Sequence, residues 1–388
     1  MLPKDKCVGC SACKDVCPKG CITMQANKKG FLHPRIDAAI CIECGACEHV
    51  CQVLNPVQKH KLPDKVYAAR EADSTVLRNS SSGGIATALA DLFLSIGGVV
   101  YGAAFDENMV VKHIRVSHRD ELKRIQGSKY VQSDIQEIYG KVKQDLSQGL
   151  NVLVFGTPCQ IAGLRKRFDQ AEKLFLCDLI CHSAPSPKVL ADHLRAIETD
   201  RKEIADYRFR DKSFGWSYHL NRIQYTDGTS DLHTYWNQCY KRLFLLNLIA
   251  RESCYTCEYS DCQRVSDLTL GDYWGIQKIT HQFDDDKGVN VVFVNTDKGE
   301  LMFRKMIESG IEYVQTTVQD ALQAHLIMPC TKPKNAERFW EQCINESYEA
   351  AAFQFAGGYR YLTLRNRLKD CIYQHRHSKL ETKRGTGK

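Results

Sequence analysis

From residue 65 onward the apolar positions fall into short β-branched or aromatic runs separated by longer stretches with apolar residues three and four apart. That alternation predicts strands at 66–69, 99–105 and 110–116, and helices at 85–95 and 137–146. A further β-branched run at 151–155 ends in Gly156-Thr157-Pro158-Cys159, with a helical stretch at 161–168 behind it. The unit then repeats, with an apolar run at 173–180 ending in Cys181-His182 and a helix at 187–197. Two strand–turn–helix units in tandem predict a parallel sheet. Ligands of such sheets collect at the carboxyl ends of the strands, where Cys159 and Cys181 both fall. A more antiparallel region is expected over 207–209, 218–225 and 231–235, followed by a helix at 243–250 and a strand and turn across 267–275. From 290 the pattern reads as a strand, two helices and a basic tail.

Ahead of this body lie eight cysteines in two matching runs, Cys7, Cys10, Cys13, Cys17 and Cys41, Cys44, Cys47, Cys51, each matched pair 34 residues apart. The spacing C-x2-C-x2-C-x3-C has a physical reason. Three close thiolates wrap three corners of one cubane, while the fourth reaches the neighbouring cubane. One [4Fe-4S] cluster is therefore assigned to Cys7, Cys10, Cys13 and Cys51, and the other to Cys41, Cys44, Cys47 and Cys17. Zinc and disulfides are the rival readings, but zinc sites use paired CxxC knuckles rather than a four-cysteine run ending in Cys17-Pro18. Gln52 stands where proline usually follows the last cysteine, which bears on loop geometry rather than ligation. A polar linker at 55–64 with Pro56 and Pro63 bounds the module, giving an expected organisation of 1–58, 65–335 and a helical, basic 336–388.

Charge and cysteine usage narrow the classes. The formal charge of +7 arises entirely within 359–388, which holds nine Lys or Arg against two acids, so the body is neutral and nucleic-acid binding is not indicated. That tail reads as a solvated segment or as a basic amphipathic helix, with Leu364, Leu368 and Ile372 on one face, able to touch a membrane surface or an acidic partner. Nineteen cysteines without an apolar export segment point to thiolate ligation in a reducing, cytoplasmic setting. The longest apolar stretch, 83–105, contains Asp91 and Gly97-Gly98, so it reads as a helix followed by a buried strand rather than a membrane span.

A second thiol constellation is less local. Cys254-Tyr-Thr-Cys257 alone is compatible with a redox dithiol, half a zinc site or nothing. With Cys159 and Cys181 it makes four thiolates and a candidate third [4Fe-4S] site, for which Cys177 and Cys262 compete; Cys21, Cys239, Cys330, Cys343 and Cys371 read as plain thiols. Gly83-Gly84 opens the helix at 85, so backbone N–H groups can face a diphosphate, with Ser82 and Thr87 as hydroxyl donors; an ordinary N-cap turn is the alternative.

Five segments together, Ser81-Ser82-Gly83-Gly84-Ile-Ala-Thr87, Gly127-Ser128-Lys129-Tyr130, Gly156-Thr-Pro-Cys159, Cys181-His182-Ser183-Ala-Pro-Ser and Arg264-Val-Ser-Asp267-Leu-Thr-Leu-Gly-Asp272-Tyr-Trp-Gly, carry a family likeness. Between about 65 and 333 the chain resembles the family of coenzyme F420 hydrogenase/dehydrogenase β subunits. The resemblance implies an α+β chain, in which a bacterial-type 2[4Fe-4S] ferredoxin module precedes an α/β flavin-binding domain with a mixed sheet. It also implies FAD on Ser81, Ser82, Gly83, Gly84 and Thr87, with Ser128, Lys129 and Tyr130 as a second contact, and the third cluster on Cys159, Cys181, Cys254 and Cys257. Lys129 can then favour a reduced, anionic flavin, and Ser183, where relatives often have glycine, can alter the Cys181 loop. The expected activity is an FAD- and iron-sulfur-dependent oxidoreductase passing electrons from a ferredoxin-type donor to an organic substrate, with polysaccharide biosynthesis as one setting. An F420-dependent subunit of a larger complex and a non-catalytic electron-transfer module are the alternatives. His182 and Asp272 are the candidate proton donors, though either residue type is more often structural.

Overall fold

The computed structural model describes residues 5–198, 202–232 and 234–358, together with Leu364 and Leu368. The expected basic tail otherwise lies outside the described residues. At the amino-terminal side, β1 (Ile22–Ala26) and β2 (Leu32–Ile36) form an antiparallel hairpin, and the short helices Ala12–Val16 and Ala46–His49 follow the cysteine-rich turns. The internal duplication is visible in the backbone. Positive φ occurs at Gly9 and Ser11 in the first run and at the matched Glu43 and Gly45 in the second. Non-glycine residues adopt that region only where the surroundings impose it, so the two turns share one shape despite different side chains.

Next come β3 (Lys65–Arg70), β4 (Val99–Phe105), β5 (Val111–Val116), β6 (Val152–Gly156) and β7 (Leu174–Leu179), then β8 (Ile204–Asp211), β9 (Leu220–Tyr225) and β10 (Ser230–Asp231). The last strands are β11 (Leu268–Asp272), β12 (Asn290–Val294) and β13 (Glu312–Thr316). Eight of them make one mixed sheet in the order β13-β3-β12-β11-β7-β6-β4-β5, while β8, β9 and β10 form a separate antiparallel sheet. β4, β6, β7 and β11 run parallel at the centre, as the tandem units predict, and β12 and β5 run against them. Helix Ile85–Ser95 and helix Asp297–Glu308 cover one face through Leu89, Phe93, Phe303 and Met306. The other face is covered by helices Ile138–Ser147 and Pro158–Arg167, and Ala12, Cys13, Ile22 and Val50 of the ferredoxin-like module enter the same core. The module is thus fused into the body by apolar burial rather than tethered to it.

Four features differ from expectation. The stretch at 231–235 is a strand only at Ser230–Asp231, and helix Tyr235–Leu245 starts where its end was expected. Tyr235, Cys239, Tyr240, Leu243 and Phe244 are buried at helical spacing, and Thr234 Oγ1 accepts from Asn237 N–H at the cap. The helix expected at 243–250 stops early because Asn247 takes φ 59. β13, between helix Asp297–Glu308 and helix Ala336–Asn345, is an exposed polar edge strand that the pattern does not reveal. Helices Ala336–Asn345 and Tyr348–Phe355 are not tail-like, since Phe339, Trp340, Tyr348 and Ala352 pack into the core of helices Pro187–Ile197 and Tyr235–Leu245. Among the described residues no helix is long and apolar enough to cross a membrane.

A buried ion pair anchors the sheet's carboxyl edge. Arg264 Nη2 lies 3.1 Å from Asp178 Oδ2 on β7, with both side chains essentially inaccessible. Arg264→Met would leave that carboxylate buried and unpaired, so it is expected to cost about 3–5 kcal/mol in denaturant unfolding. Adding Asp178→Asn should recover part of the loss. A cost below about 1 kcal/mol, the value of an exposed pair, would contradict this role.

Candidate iron-sulfur sites and carboxyl-edge pocket

Cys7, Cys10, Cys13 and Cys51 line one small, partly enclosed cavity, with Gly9, Met24, Pro34 and Gln52 among its walls. Cys17 is not among the lining residues. It lies instead beside Cys21, Sγ to Sγ 3.3 Å, and Cys21 is within hydrogen-bonding reach of Cys41. The first thiol set thus gathers Cys51 from the second run, and Cys21, read from sequence as a plain thiol, lies between Cys17 and Cys41. Among the described residues no three His, Cys, Asp or Glu stand close enough for a single metal ion, and every described cysteine is free. Four thiols spread around a cavity suit a cubane, and Gly9 N–H donates to Cys7 Sγ at 3.4 Å, the kind of hydrogen bond that tunes a thiolate ligand. Burial pushes the Cys10 thiol up to about 11, so the chain gives up protons when thiolates ligate. Cys44, in the second set, is exposed.

The candidate third set is assembled from three distant pieces of chain. Cys159 opens helix Pro158–Arg167 directly after β6, Cys181 follows β7, and Cys254 and Cys257 come from the turn Glu252–Thr256 and its end. Cys181 is half-buried within electrostatic reach of Cys254, Cys159 and Cys257, and desolvation followed by those neighbours pushes its thiol well up. Burial likewise pushes Cys159 and Cys254 up to about 12. Ala184 N–H donates to Cys254 Sγ at 3.3 Å, so the Cys181 loop reaches across the set; Ser183 Oγ in that loop is buried without a partner. The competitors fall away on geometry. Cys177 is sealed inside β7, and Cys262 donates to Leu326 O in a separate apolar cluster. Cys330 is the thiol that sequence reasoning missed: its Sγ lies 3.6 Å from Cys254 O and within electrostatic reach of Cys257.

The first and third sets meet at a packed junction. Gln52 is buried, its Nε2 donates to Cys159 O and its Oε1 accepts from Tyr259 O–H, so the residue after Cys51 spans both sets. Proline at that position has no side-chain amide to do this. Tyr139 O–H donates to Cys10 O at 2.7 Å. A Cβ on Gly163 would lie 3.0 Å from Cys10 Sγ, so glycine there lets helix Pro158–Arg167 approach the first set.

The expected flavin segments also converge on the carboxyl edge. Ser128 N–H donates to Ser81 Oγ at 2.7 Å, and Gln126 Nε2 to Thr87 Oγ1 at 3.4 Å. Ser82 does not serve as a free donor: its hydroxyl is turned inward to Val289 O at 2.8 Å. Gly83 is equally enclosed, since a Cβ would meet Ala69 O and Asn290 N at 2.6 Å, while Gly84 supplies the φ of 84 that starts the helix. Ser81 and Thr87 keep their own O–H groups, so the donor set shifts to them. Lys212 Nζ donates to Leu77 O, Ser82 O and Lys287 O and pins the turn. Tyr130 accepts from Arg210 Nη1 at 3.2 Å, and Arg210 pairs with Asp272 at 2.8 Å. Asp272 also accepts from Trp216 Nε1 at 3.0 Å, which makes it a positioning group in this arrangement. His182 bonds Asn247 Oδ1 at 2.7 Å and packs against Phe244, which stacks on Tyr130 at 4.9 Å. Burial pushes His182 below its ordinary range, so it is neutral at pH 7 and a weak proton donor.

Two measurements check these sites. With cross-run ligation, Cys7→Ser combined with Cys51→Ser removes one cubane, about 4 iron per chain, whereas Cys41→Ser combined with Cys51→Ser removes two, about 8. Ligation within each run would reverse those losses. Separately, Lys129 Nζ donates to Gln126 O at 2.8 Å and is pushed by burial from 10.5 down to about 7. The unfolded chain holds that proton up to about 10.5, so the penalty is fully present below about pH 7 and is relieved as pH rises. Lys129→Met is therefore expected to be more stable relative to the parent at about pH 6 than at about pH 9, and a pH-independent gap would contradict this burial.

Residues 6–54 match a 4Fe-4S dicluster domain. Residues 66–139 match the N-terminal part, and 149–320 the C terminus, of the coenzyme F420 hydrogenase/dehydrogenase β subunit. Over 365 residues, 90% of this chain and 96% of the relative, the sequence is 21% identical to one of the subunits of the F(420)H(2) dehydrogenase of Methanosarcina mazei. It is 29% identical over 163 residues to the coenzyme F420-dependent sulfite reductase of Methanocaldococcus jannaschii, a match spanning 41% of this chain and 25% of that enzyme. A chain of the F420-reducing [NiFe] hydrogenase complex from Methanosarcina barkeri aligns at a TM-score of 0.46 and 18% identity, covering 76% of this chain and 91% of its own. With both parts of one family model matched in order behind a dicluster domain, the chain belongs to the family of coenzyme F420 hydrogenase/dehydrogenase β subunits.

Proposed function

We propose that the chain is an iron-sulfur oxidoreductase subunit that exchanges electrons with the deazaflavin coenzyme F420 within a larger redox assembly. The observation that carries this reading is the match along 90% of the chain to a redox subunit whose name specifies the reduced coenzyme. The first expectation, an organic substrate of polysaccharide biosynthesis, finds no counterpart in the two curated relatives described, whose names both carry F420.

The segments converging at the carboxyl edge are assigned to FAD, with Ser81, Thr87, Ser128, Lys129 and Tyr130 to hold it. When bound, such a group interconverts single electrons and hydride, the conversion a deazaflavin partner needs. The chain's own residues do the rest. Cys44 is exposed and marks the second thiol set as the end open to a redox partner. Gln52 and Tyr139 fix the first set against helix Pro158–Arg167. Cys181 and His182 are consecutive, so the third set lies next to the rings of His182, Phe244 and Tyr130, which reach toward the carboxyl-edge segments. Lys129 adds positive charge beside these segments where it is protonated, which favours a ligand carrying phosphate or a reduced ring, while Arg210 is neutralised by Asp272.

Anaerobic purification with iron, sulfide and flavin analysis, followed by titration with reduced F420, tests the assignment. About 12 iron and one FAD per chain, with bleaching of the iron-sulfur absorbance by the reduced coenzyme, is the expected result. About 8 iron, no flavin after reconstitution and no response to the coenzyme would leave a two-cluster electron carrier instead.

A further inference from the structure

The junction between the first and third thiol sets contains one buried guanidinium. Arg251 is 2% exposed, and its Nε donates to Cys7 O at 2.7 Å. Nη1 donates to Gln132 Oε1 at 2.9 Å, and Nη2 to Leu32 O at 2.8 Å with His33 Nε2 at 3.2 Å. Its backbone belongs to the other side: the N–H donates to Ala184 O in the Cys181 loop, and the carbonyl accepts from Cys254 N–H. All of these acceptors are neutral, and among the described residues no carboxylate pairs with this cation. A buried charge without a counter-charge is strongly unfavourable. The ionisable groups that reach it are the thiols of Cys7, Cys254 and Cys159, one from the first set and two from the third.

We propose that Arg251 is the shared counter-cation of two clusters, the one held by Cys7, Cys10, Cys13 and Cys51 and the one held by Cys159, Cys181, Cys254 and Cys257, and that its charge raises both reduction potentials. The proposal rests on those thiol sets being cluster sites. Such a cluster would gain one negative unit on taking up an electron, and the fixed charge of Arg251 in a site of low dielectric would stabilise it. Because the guanidinium is bonded on one side to the Cys7 loop and continuous with the Cys254 turn on the other, it also holds the two sites at one separation.

The test is redox titration of the intact, cluster-loaded chain followed by electron paramagnetic resonance. Arg251→Gln keeps donors but removes charge, and is expected to move the midpoints of these two clusters to more negative potential while the Cys17, Cys41, Cys44 and Cys47 cluster stays in place. Arg251→Lys, which keeps the charge, should restore most of the shift. Gln132→Glu puts a carboxylate against Nη1 without touching Arg251 and should reproduce the negative shift. Unmoved midpoints in both charge-altering variants with full iron would overturn the proposal, as would loss of iron in Arg251→Gln with unmoved midpoints in Gln132→Glu. Failure of the underlying cluster assignment is seen earlier and separately, as about 8 iron in the unsubstituted chain.

Discussion

The arrangement of the thiols depends on one buried cation reaching back to the end of a central strand. The segment that carries Cys254 and Cys257 has only a short 3-10 turn of its own and no ladder to fix it. Arg264 supplies what the ladder does not. Nη1 donates to Tyr259 O and Asp261 O in that segment, while Nη2 donates to Asp178 and Leu179 O at the end of β7. Cys181 lies two residues further on, so the same guanidinium sets the distance between the two halves of the third thiol set. Apolar residues can fill such a space at equal stability, but they do not specify one register, and register is what a four-thiolate site needs.

A second consequence follows from fusion of the ferredoxin-like module with the body. Had the linker been free, the separation between the first and third sets would fluctuate with it. Instead His60 N–H donates to Arg264 O, Lys59 pairs with Asp261, and Gln52 bonds the backbone of Cys159. The linker is thus tied to the very segment that Arg264 positions. Departure from proline at residue 52 is then part of this tie rather than a local irregularity.

The central sheet was legible because buried parallel strands are continuous apolar runs and their helices carry a clear 3.6-residue stripe: helices Ile85–Ser95 and Pro187–Ile197 occur at the predicted bounds. The Tyr235–Leu245 helix was not, because Tyr235 and Trp236 suit a strand as well as a helix until the burial of residues four apart decides between them. The expected pairing of the cysteine runs was legible in their spacing, because three close thiolates and one distant one suit cross-run ligation. Cys21, Cys330, Gln52 and Arg251 carry no such local signal. Each becomes part of a site only through partners far along the chain, as with Arg251 and Cys7, and Ser82 loses its expected role for the same reason, since Val289 is its acceptor.

Charge balance finally separates the positions where anions can sit from those where the protein already satisfies itself. Four arginines are buried among the described residues: Arg70, Arg210, Arg251 and Arg264. Arg70 has Asp285 and Glu312, Arg210 has Asp272, and Arg264 has Asp178. Their charges are cancelled within the protein, so they hold loops and strand ends and leave little field for a ligand. Arg251 has only carbonyls, an amide and an imidazole around it. Its field is therefore directed to the thiols of Cys7, Cys159 and Cys254 on either side, the groups that would carry negative charge with the proposed clusters bound.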